Sequence, residues 1–324
     1  MNLPRRRFLH LAVATAALPA MPPFAQAQPY PSQPVRIVVG VAAGGGADIT
    51  TRLFSQWLSE RLGQFYVENR PGAGGNIAAE MVVRAPPDGY TLLLVSIGNA
   101  VNATLYDKLS FDIVRDITPI AGIIGVANVA YVHPSVPAKT IPEFIAYAKA
   151  NPGKITMASA GNGTSSHIAG ELFKMMTGVN MIHVPYRGQG PALIDLLSGQ
   201  VQMMFATTPG TTEYNTNGKL RALAVTTSTR SHLLPDVPTM GDFLPGYESS
   251  QWYGLGAPKN TPAEIVDKLN KEINVGLANP KIKARLTDLG GTALGGSPAD
   301  FGKLIATETE KWGKVVKTAG IKTD

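Results

Sequence analysis

The sequence predicts an α/β fold of two lobes, each a mainly parallel sheet flanked by helices. Three features carry that expectation. Strand-like apolar runs alternate with amphipathic helical stretches along nearly all of the 324 residues, the pattern of a sheet covered by helices. The strands are short and single helices separate them, which suits βαβ units. Pro/Gly-rich punctuation at "VHPSVPAKT" and "PDVPTMGDFLPGYE" brackets the middle of the chain. Lobe 1 is therefore expected over 28–128 plus 251–324 and lobe 2 over 129–250, with two chain crossings forming a hinge.

The elements follow in order. Arg5-Arg6-Arg7-Phe8-Leu9, the apolar stretch from Leu11 to Leu18 and Ala25-Gln26-Ala27 read as a twin-arginine export signal over 1–27. The apolar part is shorter than the roughly 20 residues that span a bilayer, so cleavage after Ala27 is expected. Without the leader, 29 basic residues become 26 against 23 acidic ones, and the formal charge falls from +6 to +3.

Next, Val35, Ile37, Val38 and Val39 form a strand, Gly44, Gly45 and Gly46 a turn, and Asp48 can cap a helix with Ile49, Leu53, Trp57 and Leu58 on one face. Gly63 can end it in the left-handed conformation. "DGYTLLLVS" is a buried strand ending at Ser96, and Thr140 with Glu143 makes a capping box for the helix that stops at Asn151-Pro152. "KITMAS", "MIHVP", "VQMMFA" and "LRALAV" are strands of the second sheet. Thr261-Pro262-Ala263-Glu264 opens a helix with Ile265, Leu269, Ile273 and Leu277 on its apolar face, and Ser297-Pro298-Ala299-Asp300 opens another ending near Lys317.

Four glycine-softened turns precede helices. The first fails both phosphate signatures: G-x-G-x-x-G from Gly44 meets Ile49, and a P-loop from Gly40 meets Gly46 where lysine is needed. What remains is either a tight turn or a set of backbone N–H groups open to an anion. "ENRPGAGGNIAAE" repeats the device with Gly72, Gly74 and Gly75 before a helix at Asn76. "ASAGNGTSSHIAGELF" does so with Gly161, Gly163, Thr164, Ser165 and Ser166, and "VPYRGQGPALIDLLSG" with Tyr186, Arg187, Gly188 and Gly190. All four lie at the C-terminal ends of strands, where open α/β sheets hold ligands.

Other chemistry is thinly represented. The chain has no cysteine, which removes thiol catalysis and thiolate metal sites. It has neither basic clusters with interleaved aromatics for nucleic acid nor a later apolar run long enough for a membrane. Ser165 and Ser166 beside His167 hint at a hydrolase, yet the G-x-S-x-G elbow is missing. His167 and Glu171 are two ligands at most, too few for a metal. His183 reads as a strand histidine and Met175-Met176 and Met203-Met204 as core or cleft lining. No cofactor is expected.

Across essentially the whole mature chain, "PVRIVVGVAAGGGADITTR", "ENRPGAGGNIAAE", "PPDGYTLLL", "YAKANPGKITMASAGNGTSSHIAGELF", "HVPYRGQGPALIDLLSGQVQMMF", "KLRALAVTTSTRSHLLPDVPT" and "WYGLGAPKNTPAEIVDKLN" resemble, in order, the Bug family. These are periplasmic substrate-binding proteins of tripartite tricarboxylate transporters. The resemblance implies a two-lobed periplasmic-binding-protein fold of type II that closes on a small carboxylate and delivers it to a membrane permease. It implies ligand contacts from Gly44, Gly45, Gly46 and Asp48 in one lobe and from Ala160, Gly161, Gly163, Thr164 and Ser165 in the other. Ser96 and Asn99 follow a strand whose end should face the cleft. Gly74, Gly75, Gly188 and Thr207 complete the expected site, and Tyr186 and Arg187 wall its opening. Where many relatives carry aspartate after "MF", this chain has Ala206-Thr207-Thr208, a departure that disfavours an amino-acid ligand. A monomer is expected, with no nucleic-acid partner. Presentation of the bound solute to an extracytoplasmic sensor is the alternative, and an exported serine hydrolase a weaker one.

Overall fold

The computed structural model describes residues 29–323; the expected export signal and its cleavage point lie outside them. The first part of the chain forms β1 (Val35–Val39), α1 (Gly46–Arg61), β2 (Phe65–Asn69), α2 (Asn76–Val83), β3 (Thr91–Ser96), α3 (Ile97–Leu105), the single turn α4 (Ile113–Asp116) and the long β4 (Ile117–Val132). The middle continues with α5 (Ile141–Ala150), β5 (Ile155–Ser159), α6 (Ser165–Thr177), β6 (Met181–Pro185), α7 (Gln189–Leu197), β7 (Met203–Thr207), α8 (Thr212–Thr216) and β8 (Arg221–Val225). The chain then returns through β9 (Ser250–Pro258), α9 (Ala263–Ala278), α10 (Pro280–Asp288), β10 (Gly291–Gly295) and α11 (Pro298–Ala319).

The strands run in the order β2-β1-β3-β9-β4-β7-β5-β6, with β8 and β10 also on β4. The parallel pairing expected from the alternation holds for β1 with β2 and β3 and for β5 with β6 and β7. The long strands β4 and β9 are antiparallel to each other and to their neighbours β3 and β7. Each half is therefore a mixed sheet: β4 runs from one half into the other, and β9 begins at the boundary with Ser250, directly after the irregular segment 247–249. The changeover on β4 is abrupt: Ala127 still pairs with Ser250 of β9, whereas Asn128 pairs with Thr207 of β7.

Both faces of the first half are covered, which explains why its strands are almost continuously apolar. Val35, Ile37 and Val39 pack with Phe54, Leu58, Leu269 and Ile273 of α1 and α9. Val38 and Leu93 face the other way, towards Val101, Trp312 and Val316 of α3 and α11. Alternation of side chains along a strand produces this division. Each large apolar side chain so buried stabilises the fold by roughly 1.5–3 kcal/mol. In the middle part, Val132, Phe144, Phe173 and Phe205 form one core and Tyr131, Leu196, Met204 and Val225 another.

Helix boundaries follow the local signals with two exceptions. Thr140 accepts from the Glu143 amide, and Ser297 with Asp300 forms a complete capping box. Asp48, however, is not the cap of α1: Gly45 holds that position and Asp48 lies in the first turn. At α9 the cap is Pro262, and the Thr261 hydroxyl donates to the Pro258 carbonyl instead.

Candidate functional site

Strands β1, β3, β5 and β6 all end towards one cavity, and the loops leaving them start helices there. Gly45, Gly46 and Ala47 come from the start of α1, and Gly74 and Gly75 from the turn before α2. Ser96 ends β3 and caps α3, which supplies Gly98 and Asn99; Thr164 precedes α6, which supplies Ser165 and Ser166, and Gln189 opens α7. Thr207 at the end of β7 and Gln251 and Tyr253 of β9 complete the polar lining. The space open to the centre of a water-sized sphere is about 60 Å³, room for roughly four waters or one small organic acid.

The first amides of a helix have no partner within it, and the positive end of the helix dipole lies there. The starts of α1, α6 and α7 carry no side-chain cap, so their amides are left to whatever occupies the cavity. No Asp, Glu, Lys or Arg side chain lines it. The site is thus electropositive through its backbone alone, and its polar side chains are neutral.

Those side chains are held by one another. Ser165 Oγ donates to Asn128 Oδ1 at 3.1 Å, and Asn128 is fully buried. Ser166 Oγ accepts from the Ala160 amide and contacts Thr164 Oγ1, which donates to the Gly161 carbonyl. These bonds commit both serines to shaping the loop, so neither is an activated nucleophile. His167 Nδ1 accepts from the Gly163 amide, and its ring stacks on His183 at 4.3 Å. Gln189 Oε1 accepts from both the amide and the hydroxyl of Thr207 at 2.8 Å while its Nε2 donates to the Thr207 and Pro209 carbonyls. The Tyr253 hydroxyl lies with Thr207 Oγ1 against Gly46, and burial pushes it well above the ordinary tyrosine value, so it stays protonated.

The two halves meet closely around the cavity, and glycines make this contact. A Cβ on Gly190 would lie 2.7 Å from the Ala43 carbonyl oxygen, and one on Gly188 2.8 Å from the Ala42 nitrogen. Beside them the Ala42 amide donates to the Arg187 carbonyl at 2.7 Å. The conformation is closed.

Of the residues expected at the site, Gly45, Gly46, Gly74, Gly75, Ser96, Asn99, Ala160, Thr164, Ser165 and Thr207 are brought together on the cavity wall. Gly161, Tyr186 and Arg187 line an adjoining outer chamber that shares Gly40, Val41, Gly74, Gly75 and Ala160 with the inner one. Gly44, Asp48, Gly163 and Gly188 line neither. Asp48 is buried behind its own loop, where it accepts from the Gly44 amide, Arg52 Nε and Asn69 Nδ2. Burial would raise its pKa, but the hydrogen bonds from Arg52, Gly44 and Asn69 outweigh it and hold the carboxyl below its usual range. A carboxylate so engaged organises the anion loop and does not itself meet an anion. Gly163 adopts φ +78° at the seam with Asn102. Ala206 is fully buried in the core of the middle part, and only Thr207 after it reaches the cavity, so the identity of residue 206 does not bear directly on the ligand.

Gln189, Gln251 and Tyr253 were not anticipated. Gln251 and Tyr253 alternate with Trp252 on β9, and that period of two was the available signal.

Among the described residues no group of three or more His, Asp or Glu could hold a metal ion, and no helix is long and apolar enough to cross a membrane. Residues 50–321 match the model of the tripartite tricarboxylate transporter family receptor, TctC. The chain belongs to the TctC family. Protein BugT of Bordetella pertussis is similar to this TctC protein at 33% identity, covering 99% of each chain. An R. palustris protein solved with adipate superposes with a TM-score of 0.88 at 37% identity, covering 91% of this chain and all of that one. MatC from Rhodopseudomonas palustris with bound malate gives 0.85 at 33% identity, covering 89% of this chain and all of that one. These TctC relatives share the two-lobed α/β fold of periplasmic binding proteins.

Proposed function

We propose that this protein is an exported, monomeric solute receptor that closes on a small carboxylate and presents it to the permease of a tripartite tricarboxylate transporter. The observation that carries the reading is the closed cavity walled by uncapped helix starts and by no charged side chain. The adipate and malate held by two relatives support it. Export through the leader over 1–27, with cleavage after Ala27, is part of the proposal.

The magnitudes are compatible. A micromolar Kd corresponds to about 8 kcal/mol. A helix start contributes roughly 0.3–2 kcal/mol towards an anion, and a charge-assisted hydrogen bond roughly 1.5–3 kcal/mol. After the cost of immobilising the ligand, one loop falls short and several opposed loops suffice. Those loops come from both halves, so binding and closure are one event. The changeover between Ala127 and Asn128 on β4, opposite Ser250 on β9, supports a hinge there and lobes of 28–128 plus 251–324 and 129–250.

The test is a thermal-melt screen of the purified mature protein against mono-, di- and tricarboxylates. A ligand at about 100 times its Kd stabilises by about 2.7 kcal/mol, a shift of roughly 4 °C for a chain of this size. Melting temperatures unmoved by every carboxylate at millimolar concentration would overturn the proposal.

A further inference from the structure

The turn from Ala160 to Thr164, which leads into α6, is pinched from two sides. From the other half, a Cβ on Gly163 would overlap Asn102 Oδ1 of α3, and one on Gly74 would overlap the Asn162 carbonyl oxygen. From behind, His167 Nδ1 accepts the Gly163 amide at 3.1 Å, and His183 Nε2 lies 2.6 Å from Ser159 Oγ, which accepts the Gly161 amide at 3.1 Å. The two imidazoles stack at 4.3 Å. We infer that His167 makes closure proton-sensitive: a proton on its Nδ1 frees the Gly163 amide, loosens the turn and shifts the protein from the closed form towards the open one as pH falls.

A ring nitrogen that accepts an N–H carries no hydrogen, so the His167 ring is neutral in the closed form, with its hydrogen on Nε2. Protonation would set two N–H groups against each other. Ser159 differs, because a hydroxyl oxygen can accept from Gly161 and from a protonated His183 together, so the brace breaks at His167 alone. That ring is 1% exposed, and burial disfavours its cation. On α6, Glu171 Oε1 lies 3.9 Å from His167 Nε2 and favours the cation, but Lys174 Nζ shares that oxygen at 2.8 Å. On β6, a charged His183 opposes a charge on His167 at stacking distance. β5 and β7 carry no ionisable side chain. From β4, Ala130 and Val132 share the core of α6 while Tyr131 turns to the opposite one. The Tyr247 phenol, kept protonated by burial, donates to the Ala169 carbonyl, and Ile168 carries α6 into the core shared with α11. In the open form Asn102 no longer holds the turn, which can move off the ring, so His167 titrates nearer the ordinary value of about 6.5. The closed form holds it lower, so closure is favoured above that value and is lost as pH falls through it.

The test is NMR of the unliganded, 15N-labelled protein from pH 8 to 5, following His167 Nδ1 and the Gly163 amide. The amide resonance should move together with Nδ1 protonation in the wild type. It should stay fixed in His167→Gln, whose side-chain oxygen can accept the amide but takes up no proton; an unliganded melting temperature equal to wild type establishes that this variant is folded. A Gly163 amide that does not follow Nδ1, or an Nδ1 still unprotonated at pH 5, overturns the inference from the wild type alone. Calorimetry with adipate and malate gives a second readout, which rests on the carboxylate reading above. For the tighter of the two, Kd should be about tenfold weaker at pH 5.5 than at pH 7.5 in the wild type and change by less than about threefold in His167→Gln. Equal weakening in both overturns the inference. Binding of neither acid at pH 7.5 bears on the carboxylate reading alone, and the NMR titration then decides the proton effect.

Discussion

Gly190→Ala separates closure from folding, because its two effects have opposite signs. Gly190 is the second residue of α7, with an ordinary helical backbone, and its virtual Cβ lies 2.7 Å from the Ala43 carbonyl oxygen across the cleft. That oxygen belongs to the main chain and cannot rotate away, so the methyl group fits only if the halves separate. Overpacking of this kind costs roughly 1–3 kcal/mol, and the cost falls on the closed state alone. Ligand affinity should drop by that amount, about 5- to 150-fold. In the open state the same methyl meets solvent, and alanine is favoured over glycine in a helix by up to about 1 kcal/mol. Unliganded stability should hold or rise. Calorimetric Kd and the urea midpoint without ligand, measured on the same preparation, test both halves. Wild-type affinity, or a lowered urea midpoint, would refute the reasoning.

Asp48→Asn should lower stability at neutral pH and loosen the first glycine loop. The folded-state pKa of Asp48 lies below its unfolded value, so its stabilisation is complete above about pH 4 and is lost as pH falls through the folded value. Urea midpoints from pH 7 to 3 should therefore decline less steeply in the variant, and parallel curves would refute the assignment. Tyr253→Phe removes a polar group from the cavity wall and should weaken carboxylate binding by about 1 kcal/mol, roughly fivefold in titration; unchanged affinity would show that the hydroxyl does not meet the ligand. Ser165→Ala and Asn128→Ala break the same hydrogen bond. Their destabilisations in urea should sum to more than that of the double variant, and additivity would show the bond to be energetically idle.

Much of this fold was legible because its signals are local. Asn76 opens α2, Thr140 and Ser297 cap their helices, and the alternation of strand with helix gave the α/β class. The long-range pairings were not legible. β4 and β9 pair across more than a hundred residues of sequence, and their antiparallel direction makes the sheets mixed. β10 and α10 were missed because neither carries an apolar run of its own: only Leu286 of α10 is buried, and no residue of β10 is. At the site, glycine-rich turns announced the backbone cradle, but the side chains behind it depend on rotamer and register. Asp48 could have pointed into the cleft or back at its loop, and the hydrogen bonds to Arg52 and Asn69 decide for the latter. Gln189 looked like an ordinary first residue of a helix until β7 placed Thr207 against it.

Because β4 and β9 remain hydrogen-bonded up to Ala127 and Ser250 and β4 carries on unbroken into the middle part, the proposed release of the solute would flex this ribbon without melting it. Such a ribbon acts as an elastic joint. A docking transporter could pull its two arms apart with modest force and let them spring back empty, so repeated cycles would proceed without any excursion towards unfolding.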